Sequence, residues 1–484
     1  MPALSDRQNR ATKSTSLTAL AFVGLLVGAG FASGQETIQY FLAFGYWGIV
    51  GTIVAGLVIV LVGTTLFQLG SYFLADDHSA VFKSVSHPVV ARFMDVSTMI
   101  TLFAIGFVMV AGAGSNLEQQ FGFPTWAGAA IMTVALLASG FLDIDRLTNV
   151  ISSITPFLIL AVLGALVVTI LNMPDNFSAI NELAMQNAPA SGVGNNWLLS
   201  ALNYAAMCTI VAVSMILVIA GSQLNPREAG IGGLIGGIIF STLQVILAFI
   251  IFANIEDVFG ADLPLLMVFD NMHPAVGVVV ALVIYLMIYN TAVGMFYAMA
   301  RRMSATNHSR FRPIYFAVVL IGFALSFIGF ADLLGWVYPI LGYLGMVLIA
   351  VMVFVWFRDR TLIKNETQRR ERLAALAEKA LDPTERDLTD NQRAEVEELA
   401  AQSHVEENTL WQSVQEEVAA TLDADPASEF SLEETPALDP ESKEYEGAPE
   451  PTTDAPIDWR AYDEVYKTGS FPAVRPADKA GQGD

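Results

Sequence analysis

The run from Leu17 to Phe44 is strongly apolar with one charged residue, Glu36, and its middle reads Val27-Gly28-Ala29-Gly30-Phe31-Ala32-Ser33-Gly34-Gln35-Glu36. A straight helix of that length would reach about 42 Å across a hydrocarbon layer of about 30 Å, so the segment must tilt or break. Gly28, Gly30 and Gly34 each weaken a helix by about 1 kcal/mol relative to alanine. Ser33-x-x-Glu36 then has the form of a capping box, which marks a helix N-terminus. A helix that starts in mid-membrane implies one that has just stopped. The run therefore reads as two half-helices, Leu17–Val27 and Gly34–Phe44, with exposed backbone between them. The alternative is a continuous helix whose Gly24-x-x-x-Gly28 face packs closely on a neighbour; the capping box favours the break.

A break at that depth has a functional meaning. Unpaired backbone groups are not tolerated against lipid, and survive only where protein buries them or a polar cavity meets them. Half-helices ending near the midplane offer carbonyls to a cation and N–H groups to an anion, the arrangement of solute sites in secondary transporters.

The rest of the chain fits a polytopic membrane protein, with 54% hydrophobic residues over 484 positions. Its net charge of -22 is uneven: residues 1–357 hold 11 Lys+Arg and 16 Asp+Glu, whereas 358–484 hold 14 and 31. This change at Phe357/Arg358 divides the chain into an N-terminal tail (1–15), a membrane domain (16–357) and an acidic cytoplasmic tail (358–484). Within the last, residues 365–421 suggest two short helices either side of Asp382-Pro383, and 423–484 have the composition of a disordered segment. The single cysteine, Cys208, rules out an intramolecular disulfide. The N-terminal apolar run exceeds a signal-peptide core and is expected to stay as a permanent span.

Hydropathy gives ten spans, at 17–44, 46–72, 92–116, 124–141, 147–172, 197–220, 230–254, 274–300, 312–330 and 332–357. With the N-terminus inside, all 11 basic residues of the membrane part fall in cytoplasmic segments. That pattern predicts both termini in the cytoplasm and the cell membrane as location. Trp47, Trp126, Trp197, Trp336 and Trp356 all sit at span ends, as an interfacial belt requires. Spans six to ten start about 180 to 188 residues after spans one to five. Five is odd, so the halves would be inverted, and both second members (spans two and seven) are glycine-rich. An inverted repeat predicts that span six breaks as span one does. Its candidate break is Leu202-Asn203-Tyr204-Ala205-Ala206-Met207-Cys208-Thr209.

Enzyme signatures are absent from the sequence. His78, His87, His273, His308 and His404 are scattered without metal-ligand spacing, no G-x-x-x-x-G-K-[ST] occurs, and no Ser–His or Cys–His set stands out. No cofactor and no nucleic acid partner is expected. Ionisable residues inside spans are few, which makes Glu36 the leading functional candidate, as a cap, a partner for a solute amine or a proton carrier. Asp95 lies near the cytoplasmic end of span three and reads as interfacial. Asn290 and Thr291, adjacent in mid-span eight, are either back-bonded helix polar groups or cation ligands. Cys208 and Thr209 are equally packing residues or ligands.

The first-span motif resembles that of the YkvI-like amino-acid permease family, in the amino acid–polyamine–organocation superfamily with the LeuT fold. Ile288-Tyr289-Asn290-Thr291-Ala292-Val293-Gly294 and Tyr338-Pro339-Ile340-Leu341-Gly342-Tyr343-Leu344-Gly345 support it, and the resemblance covers residues ~15–357. It implies an all-α, ten-helix, five-plus-five inverted repeat with broken helices one and six. It also implies a solute site lined by Gly28, Ala29, Gly30, Phe31, Ala32, Ser33, Gly34 and Glu36 with Asn203, Met207, Cys208 and Thr209. A sodium site is implied at Gly24, Val27 and Thr291, with Asn290 beside it. Phe31 stands where some relatives carry an asparagine for a second sodium, and span eight offers one hydroxyl where sodium sites often use two. The coupling cation is thus sodium or a proton. The function expected is secondary active transport of an amine-bearing or zwitterionic solute, such as an amino acid. The alternative is a membrane solute sensor signalling through its tail. Near the end of that tail, residues 462–474 restore aromatic and apolar side chains and are a candidate motif for a cytoplasmic protein partner.

Overall fold

The computed structural model describes residues 15–75, 77–141, 154–186, 193–304, 308–381 and 388–424, together with Ser428, Phe430, Ser431, Leu432, Thr435, Leu438 and Ile457. The first span is made of α1 (Thr15–Leu26), α2 (Ala29–Ser33), α3 (Gln35–Tyr40) and a 3-10 turn at Leu42–Phe44. There follow α4 (Tyr46–Tyr72), a loop helix α5 (His78–Val85), α6 (Pro88–Phe121), α7 (Thr125–Ser139) and α8 (Ile154–Leu171). A short α9 (Phe177–Met185) leads to α10 (Trp197–Gly221) and α11 (Pro226–Ala253). Two small helices, α12 (Ile255–Val258) and α13 (Pro264–Met272), precede α14 (Pro274–Met303), α15 (Phe311–Leu325) and α16 (Phe330–Leu381). Among the described residues seven helices are long and apolar enough to cross a membrane, and three shorter apolar ones fill the remaining predicted runs. The chain is a multi-pass helical membrane protein.

Helix starts are set by local chemistry. His87, Asn225 and His273 each precede a proline and accept a backbone N–H from the first turn, at 3.3, 3.0 and 3.1 Å. Proline at the first helical position lacks only a donor that would be orphaned there anyway.

Small residues decide which helices meet. The two glycine-rich helices pack on each other: a methyl group at Gly56 would stand 2.7 Å from Ser241, and one at Gly233 would stand 2.7 Å from the Gly63 carbonyl. Helix α1 lies along this pair, with Gly236 of α11 against the Ala19 carbonyl and Gly63 of α4 against Phe22. On the other side of the molecule, Phe296 of α14 fills the notches at Gly106 of α6 and Gly322 of α15. Close backbone approach at glycine replaces the hydrophobic drive that lipid does not supply.

Three expectations are corrected by the helices. The sixth span is continuous: α10 runs unbroken through Asn203–Thr209. No glycine or proline opens it, the Thr209 hydroxyl bonds back to the Ala205 carbonyl at 2.7 Å, and Asn203 finds partners on other helices. The compositional boundary at Phe357/Arg358 lies inside one helix, because α16 continues straight from the tenth span to Leu381. The tail then adds α17 (Asp390–Ala401) and α18 (Glu407–Asp423), so residues 365–421 carry the end of a long helix and two more. Residues 382–387, with the predicted Asp382-Pro383 junction, lie outside the described residues.

The tail has its own core, in which Leu373 and Leu376 of α16 pack with Trp411 and Val414 of α18. Phe430, Leu438 and Ile457 are buried in it too, so the segment read as wholly disordered supplies at least three anchors. Isolated apolar residues in an acidic stretch gave no periodic signal from which to expect this. The rest of 423–484, including the candidate motif 462–474, lies largely outside the described residues.

Within this tail desolvation of the Glu417 carboxyl by its neighbours pushes its pKa from the ordinary 4.5 up to about 7; Glu228 adds to the rise, while the Leu224 N–H and Arg370 oppose it. A carboxyl whose pKa is raised on folding costs the folded state stability as pH climbs from its unfolded value to its folded one. His404, held below the usual imidazole range by desolvation, acts in the opposite sense nearby. The difference between Glu417→Gln and wild type isolates the first effect. The variant is expected to gain in relative thermal stability from about pH 5 to about pH 7; a constant difference would refute the assignment.

Candidate functional site

The first span is interrupted twice. Val27 N–H still closes a helical bond to Val23 at 2.8 Å, but Gly28 N–H turns to the Leu26 carbonyl at 2.9 Å. That donor is thereby withheld from Gly24, whose carbonyl leaves the helical ladder. Gly28 is extended (φ -97°, ψ -168°), and α2 begins at the next residue. The second interruption is Gly34, at φ +77°, a left-handed conformation that side chains other than glycine rarely take. Its surroundings leave no room either: a methyl there would stand 2.7 Å from Ile251 and 3.1 Å from the Leu265 nitrogen.

The capping box is not formed. The Ser33 hydroxyl donates to the Gly30 carbonyl at 2.8 Å and accepts the Gln35 N–H at 3.2 Å, and no side chain caps the start of α3. Gly34 serves as the hinge that the box was expected to make. This frees Glu36, which is 6% exposed and folds its carboxylate across the break onto Gly30, where a methyl group would overlap it. Space over Gly30, expected to admit solute, is filled by Glu36. The described ion pairs include none at Glu36.

Hydroxyl groups surround Glu36 instead: those of Tyr338 of α16 and Tyr204 of α10 lie beside its carboxyl group. Tyr204 also donates to the Gln244 carbonyl oxygen at 3.1 Å, and the Gln244 amide donates to the Thr37 hydroxyl at 3.1 Å. A second clasp lies one turn further along α3. Tyr40 donates to Asn203 at 3.2 Å, Asn203 donates to the Pro339 carbonyl at 3.0 Å, and Ser200 donates to the Tyr40 carbonyl at 2.7 Å. Asn203 is thereby a fastener between α3, α10 and α16. Buried polar groups satisfied in this way fix a unique arrangement of helices.

The remaining expected residues divide into two places. Met207 and Cys208 are buried one turn from Tyr204. Phe31 packs its ring 5.9 Å from Phe240, and Ala29 and Ala32 are buried. On the opposite side of the break, the Thr291 hydroxyl of α14 lies 3.8 Å from the position of a methyl at Gly28. Gly24 is exposed with open space beside it, and Asn290 and Thr291 are half-buried. Of the residues expected to hold a cation, Thr291 is therefore placed at the Gly28 break, while the Gly24 carbonyl stands off its ladder in the preceding turn.

Sequence reasoning missed Tyr204, Gln244, Thr37, Tyr40 and Tyr338 as partners of the Glu36 region. Two of them sat inside the motifs at 202–209 and 338–345, where a tyrosine deep in a span was the available signal. It also missed Asn116 of α6, fully buried with neither amide atom paired. Beside it Ser115 donates to Asp262 at 2.6 Å and Gln119 bonds both backbone groups of Leu263, at 3.0 and 2.9 Å. These contacts hold the 255–273 connection over the Gly34 hinge.

No protein-family model matches the chain. The uncharacterized membrane protein YkvI of Bacillus subtilis (strain 168) is 25% identical to it over 342 residues, 70% of this chain and 95% of that protein. The uncharacterized protein YyaD of the same organism is 24% identical over 346 residues, 69% and 94% of the two chains. Among solved structures, the inward-facing conformation of Mhp1 is similar with a TM-score of 0.46 at 11% identity, covering 72% of this chain and 77% of that one. A manganese transporter of Eremococcus coleocola is similar with a TM-score of 0.37 at 12% identity, covering 86% and 88%.

The overlap between Gly30 and Glu36 can be tested without knowing the solute. Gly30→Ala should lower stability by about 1–3 kcal/mol, the usual cost of overpacking a filled site. In a Glu36→Ala background the space is vacant, and the same substitution should cost well under half as much. Thermal unfolding of the four proteins gives the comparison; equal costs in both backgrounds would place the carboxylate elsewhere.

Proposed function

We propose that the protein is a secondary active transporter of a small amine-bearing or zwitterionic solute, an amino acid or a related compound, working by alternating access with sodium or proton coupling. The carrying observation is the doubly interrupted first span with Glu36 folded over Gly30 on one side and Thr291 facing Gly28 on the other. Irregular backbone at membrane depth has a use where it meets a polar ligand. The reading includes ten spans arranged as a five-plus-five inverted repeat, both termini in the cytoplasm, and residence in the cell membrane.

Two coupling sites are available within it. Gly24, Val27 and Thr291, with Asn290 adjacent, would hold sodium through oxygen atoms. Glu36 would carry a proton. The Tyr204 and Tyr338 hydroxyls lie beside its carboxyl group, and no described ion pair engages it. Solute would approach Gly28, Ala29, Ala32, Met207 and Cys208 near this carboxyl group.

The second reading, a solute sensor signalling through its tail, is favoured by one observation: the tail is docked on the membrane domain through Arg370 and Glu417. Uptake by proteoliposomes, with sodium and proton gradients imposed separately over a panel of amino acids and amines, separates the two. Transport predicts gradient-driven accumulation of at least one solute. Binding without accumulation would support the sensor instead.

The same assay assigns the cation. If sodium couples, Thr291→Val should raise the sodium needed for half-maximal uptake by about tenfold, the loss of roughly 1.4 kcal/mol of ligation. Equal wild-type uptake in potassium and in sodium would dismiss sodium. Glu36→Gln should then abolish the response to a proton gradient while leaving solute exchange measurable.

A further inference from the structure

A buried arginine of the tail occupies the joint between two membrane helices. Arg370 is 1% exposed and donates to the carbonyls of Ser71 at 2.8 Å, Tyr72 at 2.8 Å and Leu224 at 3.2 Å, while Glu366 accepts from its Nε at 2.9 Å. Ser71 and Tyr72 close α4, so the guanidinium meets carbonyls at the negative end of a helix, of which Ser71 also accepts the Leu74 N–H at 3.1 Å. Leu224 lies in the turn from α10 to α11, and its N–H donates to Glu417 of α18 at 2.8 Å. The tail thus satisfies both backbone groups of one residue in that turn. The side chain of Leu224 is buried in the tail core, and His404 stacks on Tyr72 with ring centres 4.1 Å apart.

The joint is connected to the broken span. Ser71 donates to the Gln223 carbonyl at 2.6 Å, tying α4 to the same turn, and the Gln223 amide donates to Thr18 of α1. Thr18 lies on the helix that ends at Gly24 and Val27. An unbroken series of bonds therefore runs from Arg370 through the α10–α11 turn to the cytoplasmic half-helix of the candidate site.

We propose that the docked tail is a brake: Arg370 and Glu417 pin the cytoplasmic ends of α4, α10 and α1 to one another, and releasing the tail speeds turnover. This rests on the transport reading, because alternating access requires the cytoplasmic ends of these helices to shift against their surroundings. A clamp across a moving joint stabilises the arrangement it fits and raises the barrier to leaving it. A purely structural dock would behave differently, since weakening it would lower stability and leave turnover the same or lower.

The test uses the full-length chain in proteoliposomes. Arg370→Leu removes the tail's donors to the Ser71, Tyr72 and Leu224 carbonyls and is expected to raise turnover by about fivefold, the low end of ordinary coupling between sites. Because that variant takes from Glu366 one of its two arginine partners and can lose stability, a second variant fixes the tail instead of freeing it. Cysteines at Phe73 and His404, whose rings lie 5.5 Å apart, are joined by a short cleavable bismaleimide. Cross-linking should lower turnover about fivefold and cleavage should restore it, with the wild type, whose Cys208 is buried, as the reagent control. Uptake unchanged by the reversible cross-link overturns the brake while the transport reading stands. No uptake by the wild type overturns both.

Discussion

Everything at the candidate site follows from one constraint: a backbone polar group inside a membrane must find a partner within the protein. The first span breaks that rule locally and is repaired from outside. Gly28 turns its N–H to Leu26, Ser33 bridges Gly30 and Gln35, and Gly34 adopts a conformation that only glycine takes readily. These are short-range repairs. They leave the Gly24 carbonyl without its helical donor, and this remainder is what a cation or solute can use. The glycine contacts of α4 and α11 serve the same end, because a helix with missing ladder bonds needs neighbours close enough to hold its axis.

Much of this was legible in the sequence, and the reasons differ between residues. Most apolar runs were legible as helices because hydropathy over about twenty residues is a strong signal, and among the described residues seven helices are long and apolar enough to cross a membrane. The break in the first span was legible because three glycines and a charged residue in one apolar run have few structural explanations. The break expected in the sixth span was not there. It was inferred from the spacing of the two halves, and spacing carries no information about local backbone chemistry. Asn203 looked like a disturbance of the helix, yet its amide reaches Tyr40 and the Pro339 carbonyl. Those partners are 163 and 136 residues away, beyond any local pattern. The capping box failed for a similar reason. Ser33 and Glu36 have the right spacing, but Gly30 leaves a hollow that draws the carboxylate across the break, and only the folded chain shows that hollow.

The tail was the least legible part. Charge composition changes at Phe357/Arg358, but α16 runs through that position without interruption, and its later part packs through Leu373 and Leu376 into the tail core. Arg370 was invisible as a functional residue because a lone arginine in a charged helix normally faces solvent. Its burial requires three carbonyls brought from two separate helix ends, together with Glu366 one turn away on its own helix.

The intact sixth span changes how charge can be recognised at the site. Two broken helices would offer two sets of free N–H groups and two sets of free carbonyls, enough to meet both ends of a zwitterion with backbone alone. With one broken helix, backbone can serve only part of that task. The balance falls to side chains, and the ionisable one on the described broken span is Glu36. A carboxyl group suits an amine or a proton, and it does not suit a carboxylate. Under the proposed transport reading, a proton and a solute amine would compete for Glu36, since both need the oxygen atoms that now lie over Gly30. On that reading coupling would not require a separate route between a cation site and a solute site, because departure of the proton would make the carboxylate available.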